Sequence, residues 1–291
     1  MRQLIVAIAA TLTISGAAAQ GIEQTKGDFE DKFRQLDEVL PSPNVYRNAA
    51  GEPGQQYWQQ EADYSIAVRL DEPARRLIAS QRVTNSPDTL RYLWLQLDQN
   101  RFREDSIAEM TRTFSAKSPG SLNLRDAATP QISLNSLRRM QAQEDIEYGY
   151  NITRVADGRG NALPNTIVGT LMRIDLPRPL APGGSTVFQI DWDYNLLDTK
   201  AMGGRAGYEH FPDDAREGGN DIFLVAQWFP RMVVYSDYDG WHNKEFLGSG
   251  EFALEFGDYT VDITVPDDHI VSSSGVLQNA RSVLTQEQRS R

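Results

Sequence analysis

The sequence predicts a mainly β fold: an antiparallel β-sandwich or saddle-like domain preceded by a short helix. Three observations lead there. Apolar and polar residues alternate over short runs, which is the period of a half-buried strand. Clusters of Pro, Gly, Asn and Asp separate those runs and mark turns. No segment repeats at a fixed interval, which argues against a propeller or solenoid.

A chain of 291 residues holds one large domain or two small ones and can bury a core without cross-links. It contains no cysteine, so a disulfide framework and thiolate chemistry are both excluded. The net charge of −11 argues against a general nucleic-acid binder, which needs a basic surface. At the N-terminus, Arg2 precedes an apolar run from Leu4 to Ile14, followed by Gly16-Ala17-Ala18-Ala19. That is the form of a signal peptide cleaved after Ala19, and it predicts a periplasmic or secreted protein. An uncut anchor is the competing reading. No later stretch approaches the ~20 apolar residues of a membrane span, so no integral segment is expected after cleavage.

The elements follow in order. Phe29, Phe33, Leu36 and Leu40 recur at helical spacing before Pro41, predicting a short amphipathic helix. Tyr64, Ile66, Val68 and Leu70 alternate with polar neighbours and predict a first strand. Asp71-Glu72-Pro73 turns the chain into a second strand over Leu77–Thr84. Leu90–Leu97 is apolar at both parities (Tyr92 and Trp94; Leu93, Leu95 and Leu97), as in a central strand covered on both sides. A helix is predicted over Ser136–Asp145. Further strands are predicted over Glu147–Val155, Thr166–Leu176 and Ser185–Tyr194, the last two separated by Pro177, Pro179 and Pro182.

Lys200–Asn220 reads as a long Gly-rich, charged loop, either functional or a plain surface excursion. Ala226–Pro266 is the densest aromatic and strand-forming stretch of the chain. Strands are predicted over Ile222–Trp228 and Met232–Tyr235. Phe252, Leu254 and Phe256 then occupy even positions, whereas Tyr259, Val261, Ile263 and Val265 occupy odd ones. A turn or bulge at Gly257-Asp258 would absorb that change of parity. The acidic turn Asp237-Tyr238-Asp239-Gly240, with Asp213-Asp214 and Asn220-Asp221, lacks the full calcium-loop pattern and reads as solvated. Thr285-Gln286-Glu287-Gln288 has the form of a capping box, a helix start that suggests a chain cut short.

QWFPRMVVYSDYDGW, EFLGSGEF and FGDYTVDITVPDDHIVSSSG together resemble the N-terminal β domain of M1 (aminopeptidase N-like) zinc metallopeptidases, particularly exported bacterial ones. YWQQEADYSIAVRL, SPDTLRYLWLQLDQN and GGRAGYE extend the resemblance over most of Asn44–Asn279. The resemblance implies a zinc aminopeptidase that removes N-terminal residues from peptides. In that family a separate thermolysin-like domain holds the metal with HExxH and a downstream Glu, beside a GxMEN loop. Two His at i and i+4 on one helix face leave a coordination position open for water, which the metal activates.

None of those motifs occurs here. His210, His242 and His269 are followed by Phe211, Asn243 and Ile270, so none opens HExxH. Ala201-Met202-Gly203 is not GxMEN. The expectation is therefore that this chain has no catalytic residue, binds no catalytic metal and is inactive alone; zinc belongs to the parent enzyme.

One family role has a match. Gln227 stands where the family places a Glu or Gln that holds the substrate's free α-amine. An amide oxygen accepts a hydrogen bond from an ammonium group, and clamping the amine sets the first peptide bond at the metal. Trp228 and Tyr208 are the further cleft candidates. Gln replaces the commoner Glu and the spacing to Arg231 is shortened, so an ordinary strand residue is the alternative for Gln227.

The domain plan is a signal peptide over 1–19, a polar segment with a short helix over 20–60, the β domain over 61–279, and the start of a linker or helix over 280–291. Two readings compete with the peptidase domain. One is a non-catalytic secreted β-sandwich module that binds peptide or glycan; the other is a structural domain without a ligand.

Overall fold

The computed structural model describes residues 43–48, 50–85, 89–111, 134, 137, 140–141, 146–203, 206–212, 218–237, 240–250 and 253–290. The signal segment, the Phe29–Leu40 helix, Asp213-Asp214, Phe252 and much of Ser136–Asp145 lie outside them. The chain divides into two compact units, one of residues 1–59 with Tyr235–Gly240, the other of Gln60–Val234 with Trp241–Arg291.

Among the described residues thirteen strands follow in chain order: β1 (Ala62–Asp71), β2 (Arg76–Asn85), β3 (Leu90–Gln96), β4 (Asn151–Asp157), β5 (Asn165–Val168), β6 (Leu171–Leu180), β7 (Thr186–Asn195), β8 (Gly207–Phe211), β9 (Asn220–Leu224), β10 (Arg231–Met232), β11 (Tyr235–Ser236), β12 (Gly240–Trp241) and β13 (Tyr259–Thr264). The larger unit contains a five-stranded sheet ordered β13-β1-β2-β7-β4 and a four-stranded sheet ordered β10-β3-β6-β5. All pairings are antiparallel except β1 with β13. The fold is mainly β and built of antiparallel sheets, as the alternation predicts. Among the described residues no helix is long and apolar enough to cross a membrane.

Alternation decides which face is buried. Tyr64, Ile66, Val68 and Leu70 of β1 are buried, and Ser65, Ala67 and Arg69 between them are exposed. On β7, Phe188, Ile190, Trp192 and Tyr194 form the corresponding buried row. The second sheet buries Leu93 and Leu95 of β3 with Met172 and Ile174 of β6. Tyr92 and Trp94 are only half-buried, so β3 is central in its sheet but not covered on both sides. The Arg173 guanidinium lies 4.2 Å from the Tyr92 ring centre and shields that outer face. Tyr64 joins the sheets: its hydroxyl accepts a hydrogen bond from the Met232 backbone N–H at 2.8 Å, linking β1 to β10.

Several sequence expectations change. Thr166–Leu176 is two strands, β5 and β6, joined by a turn at Gly169-Thr170. β6 continues through Pro177 and Pro179 because β5 pairs only with Leu171–Ile174, so neither proline has to donate to it. Lys200–Asn220 is not a structureless loop. It contributes the β8–β9 hairpin, in which Gly207 pairs with Leu224 and Phe211 with Asn220. Strand β8 starts tight against Leu197: a Cβ on Gly207 would lie 2.2 Å from the Leu197 carbonyl oxygen.

The bulge expected at Gly257-Asp258 is absent. Phe256 bridges Glu61, and Tyr259 pairs with Tyr64, in one unbroken parallel register. The two apolar sets therefore serve opposite faces. Tyr259, Val261 and Ile263 pair with the inward-facing residues of β1, whereas Phe256 lies on the other side and is 72% exposed. Gly257 permits the approach, since a Cβ there would meet the Ala62 carbonyl oxygen at 2.0 Å. The capping box forms as predicted: Gln288 N–H donates to Thr285 Oγ1 at 3.2 Å, and Thr285 N–H to Gln288 Oε1 at 2.8 Å.

In the smaller unit, Arg47 Nε donates to both carboxylate oxygens of Asp237, at 3.0 and 2.9 Å. That contact raises the Arg47 pKa. Trp58 stacks on Tyr235 at 5.8 Å. Asp237 is thus a buried, neutralised carboxylate and not part of a solvated acidic turn. Tyr238 and Asp239 lie outside the described residues.

Candidate functional site

The chain leaves β9 at Leu224 and re-enters a sheet at Arg231. Gln227 lies between, outside any strand, with φ +50°. The strand expected over Ile222–Trp228 therefore ends early, and an ordinary strand role for Gln227 is excluded. Left-handed backbone is uncommon outside glycine and costs about 1–3 kcal/mol, so the surroundings must hold it in place.

Three consecutive polar residues do much of that holding. Asp98, Gln99 and Asn100 open a short 3-10 helix directly after β3, and all three are buried. Gln99 Nε2 donates to the Ala226 carbonyl at 3.2 Å and to the Gln227 carbonyl at 3.0 Å. Asn100 Nδ2 donates to the Gly169 carbonyl at 2.9 Å, and its Oδ1 accepts from the Tyr150 backbone N–H at 2.8 Å. The Tyr150 hydroxyl in turn donates to the Gln227 carbonyl at 3.3 Å. Burial raises the Tyr150 pKa well above its ordinary value, so the hydroxyl keeps its proton and remains a donor.

Asp98 anchors the far side of the segment. Its Oδ2 accepts from Arg231 Nε at 2.7 Å and from Nη2 at 2.6 Å, with side-chain exposures of 1% and 9%. Burial pushes the Asp98 carboxyl above the usual carboxylate range, against the opposing pull of Arg231. Its other oxygen, Oδ1, is buried without a hydrogen-bond partner among the described residues. The loop carrying Gln227 is therefore tied at its carbonyls by Gln99 and Tyr150 and at its exit by the Asp98–Arg231 pair.

The side chains of the loop divide by role. The Gln227 amide is half-buried and has no hydrogen-bond partner among the described residues. Trp228, also half-buried, packs on Trp192 at 5.9 Å and on Phe229 at 5.1 Å. Phe229 reaches Tyr64 and Tyr259 at 5.3 and 6.2 Å. An amide fixed at its backbone beside an indole can accept from, or donate to, a polar group brought to its surface.

The structure brings Gln227 and Trp228 together but gives Tyr208 other contacts. Tyr208 lies on β8, 6% exposed, packed against Phe223 at 6.4 Å. The Arg75 guanidinium covers its ring at 4.1 Å and donates to its hydroxyl at 3.0 Å. Arg75 also holds Asp221, which accepts from it at 3.1 Å and contacts His210 Nδ1 at 2.7 Å. Asp221 is thus committed to two cationic or ring nitrogens and not to a calcium site.

Sequence reasoning missed Asp98, Gln99 and Asn100. The available signal is three polar residues immediately after the most apolar strand, where a buried polar group needs a partner. A groove of about 520 Å³ lined by Phe102, Arg103, Ile146 and Tyr148 does not include Gln227 or Trp228. Both residues are half-buried. An amide and an indole are not among the usual zinc ligands, and no HExxH occurs in the sequence, so Gln227 and Trp228 do not fit a catalytic zinc.

No protein-family profile matches the chain, and no curated protein matches it. Solved structures similar to it include a mutant M1 zinc metallopeptidase from Deinococcus radiodurans bound to a Tyr-Ser-Ala substrate, at 13% identity over 78% of this chain and 38% of that one, with a TM-score of 0.38. A two-domain M1 zinc metallopeptidase mutant bound to L-tryptophan is similar at 13% identity over 77% of this chain and 37% of that one, TM-score 0.36. The M1 zinc metallopeptidase from Deinococcus radiodurans matches at 13% identity over 77% and 36%, TM-score 0.37. The chain spans 36–38% of the length of these structures.

Proposed function

We propose that this chain is the substrate-cleft domain of an exported, M1-type zinc aminopeptidase, and that Gln227 receives the free α-amine of the peptide. The observation that carries the reading is the Gln227 loop: a left-handed backbone fixed by Gln99 and Tyr150, presenting beside Trp228 an amide with no hydrogen-bond partner among the described residues. A strained, over-determined backbone that positions a polar group is a mark of function more than of stability. The resemblance of QWFPR and the stretches after it to M1 N-terminal domains supplies the ligand class.

In this reading the zinc chemistry belongs to a second domain with HExxH, and this chain contributes binding and orientation. The Gln227 Oε1 accepts from the substrate ammonium, and Trp228 bounds the side from which the peptide enters. Fixing the amine selects chain ends over internal peptide bonds. The signal-like run at the N-terminus supports the reading of an exported protein, periplasmic or secreted.

The 291-residue chain is expected to release no arylamine from aminoacyl-arylamide substrates, with or without added zinc. The full gene product that contains it is expected to turn those substrates over and to stop when a chelator is added. Chelator-sensitive turnover by the 291-residue chain alone would refute the placement of the metal in another domain. A full gene product without turnover would refute the aminopeptidase reading and leave the peptide- or glycan-binding module.

A further inference from the structure

β1 and β13 run parallel, and their register ends where Arg69 pairs with Thr264, two residues before β1 itself ends at Asp71. Each strand then enters a turn. After β1, Arg75 N–H closes onto the Glu72 carbonyl at 3.0 Å; after β13, His269 N–H closes onto the Pro266 carbonyl at 3.1 Å. The parallel pairing sets these two turns side by side at one end of the sheet. It brings Glu72 next to His269, a contact unrelated to Gln227 and its neighbours.

The geometry there fits a metal ion. Asp268 Oδ1 lies 2.9 Å from His269 Nδ1, the position of an acceptor for an Nδ1–H donor. In the neutral ring, that hydrogen bond keeps the proton on Nδ1 and leaves a lone pair on Nε2 for a metal. Nε2 is buried and has no hydrogen-bond partner among the described residues. It faces Glu72 Oε1 at 3.9 Å, too far for a hydrogen bond. An ion about 2.0–2.2 Å from each atom spans that gap. Donor atoms of Glu72, Asp268 and His269 all lie within 4.8 Å of one another. Phe223 packs near the imidazole at 5.9 Å and helps fix its plane.

We propose that Glu72 and His269 bind a divalent transition-metal ion of the zinc class, oriented by Asp268. The imidazole donor selects this class over calcium or magnesium, which take oxygen ligands. A carboxylate that accepts from the far ring nitrogen is the usual support of a metal-binding His. Water completes the coordination shell. The bound ion staples the β1–β2 turn to the segment after β13, so its effect is on stability and on the anchoring of that edge strand. It performs no step in peptide hydrolysis.

The test uses the 291-residue chain, stripped with a chelator and titrated with Co²⁺, then with Zn²⁺ while thermal unfolding is followed. One equivalent of Co²⁺ is expected to bind with visible ligand-field absorption, and excess Zn²⁺ is expected to raise Tm. H269Q and E72Q are each expected to weaken binding at least about tenfold, and D268N by about 10–100-fold. H210Q, whose His210 partners Asp221, is the control and should bind as the parent does. E72Q changes a turn residue and keeps the test valid if H269Q fails to fold. Absence of binding at millimolar metal would overturn the proposal. So would H269Q and E72Q binding as tightly as the parent, or H210Q losing binding equally.

Discussion

Replacing Arg231 with alanine is expected to destabilise the larger unit by about 3–5 kcal/mol, the usual cost of stranding a buried charge. Asp98 is the charge that would be stranded. Its side chain is 1% exposed, and Oδ1 already lacks a hydrogen-bond partner among the described residues. The penalty should depend on pH with a definite sign. Burial alone raises a carboxyl pKa, and R231A removes the opposing pull, so folded Asp98 would hold its proton where unfolded Asp98 has released it. A raised folded-state pKa gives stability that is present below the unfolded value and lost as pH rises. R231A should therefore be least harmful near pH 4 and most harmful above the raised pKa. Urea unfolding across that range checks this. A flat penalty would mean lost packing, not a stranded charge. The double variant D98L/R231M should recover much of the loss, because apolar pairs of similar volume often replace buried ion pairs without cost.

Trp192→Ala is expected to cost about 3–5 kcal/mol as well, for a different reason. Trp192 is 1% exposed on β7, in the buried row of Phe188, Ile190 and Tyr194. It meets Tyr150 edge-on at 5.5 Å, stacks with Tyr194 at 5.9 Å and supports Trp228 at 5.9 Å. Alanine would leave a cavity that neighbours on a regular strand cannot collapse to fill. Trp192→Phe should cost clearly less, since it keeps a ring in the site. Chemical denaturation with near-ultraviolet circular dichroism checks both. Equal losses for Ala and Phe would point to a specific indole hydrogen bond in place of volume. Trp192 also supports the Trp228 side of the candidate site, so its loss should loosen the loop that Gln99 and Tyr150 hold.

The fold was legible wherever one residue type served one face. Tyr64, Ile66, Val68 and Leu70 announce β1 because each polar neighbour between them faces solvent. Legibility failed where faces depend on partners distant in sequence. Phe256 and Tyr259 differ in parity, and only the parallel pairing with β1 shows that they serve opposite faces of one unbroken register. The β8–β9 hairpin was hidden by its glycines and charges. Arg75 ties Tyr208 of β8 to Asp221 of β9, contacts that no local pattern reports. Gln227 is singled out by the resemblance alone, and its left-handed backbone and its supports, Gln99 and Tyr150, appear only in three dimensions. Glu72 and His269 are likewise neighbours through the parallel pairing of β1 with β13, which is distant in sequence.

The role given to Gln227 is tested most directly by pairing a change in the protein with a change in the substrate. Q227A in the full gene product is compared with the parent on an aminoacyl-arylamide and on its des-amino analogue, with kcat/KM measured for each. A hydrogen bond to a charged group contributes about 1.5–3 kcal/mol, so Q227A should lose roughly 10–100-fold on the free-amine substrate. It should lose little on the analogue, which has no amine to hold. Equal losses on both substrates, or none on either, would contradict the assignment of Gln227 to the substrate amine.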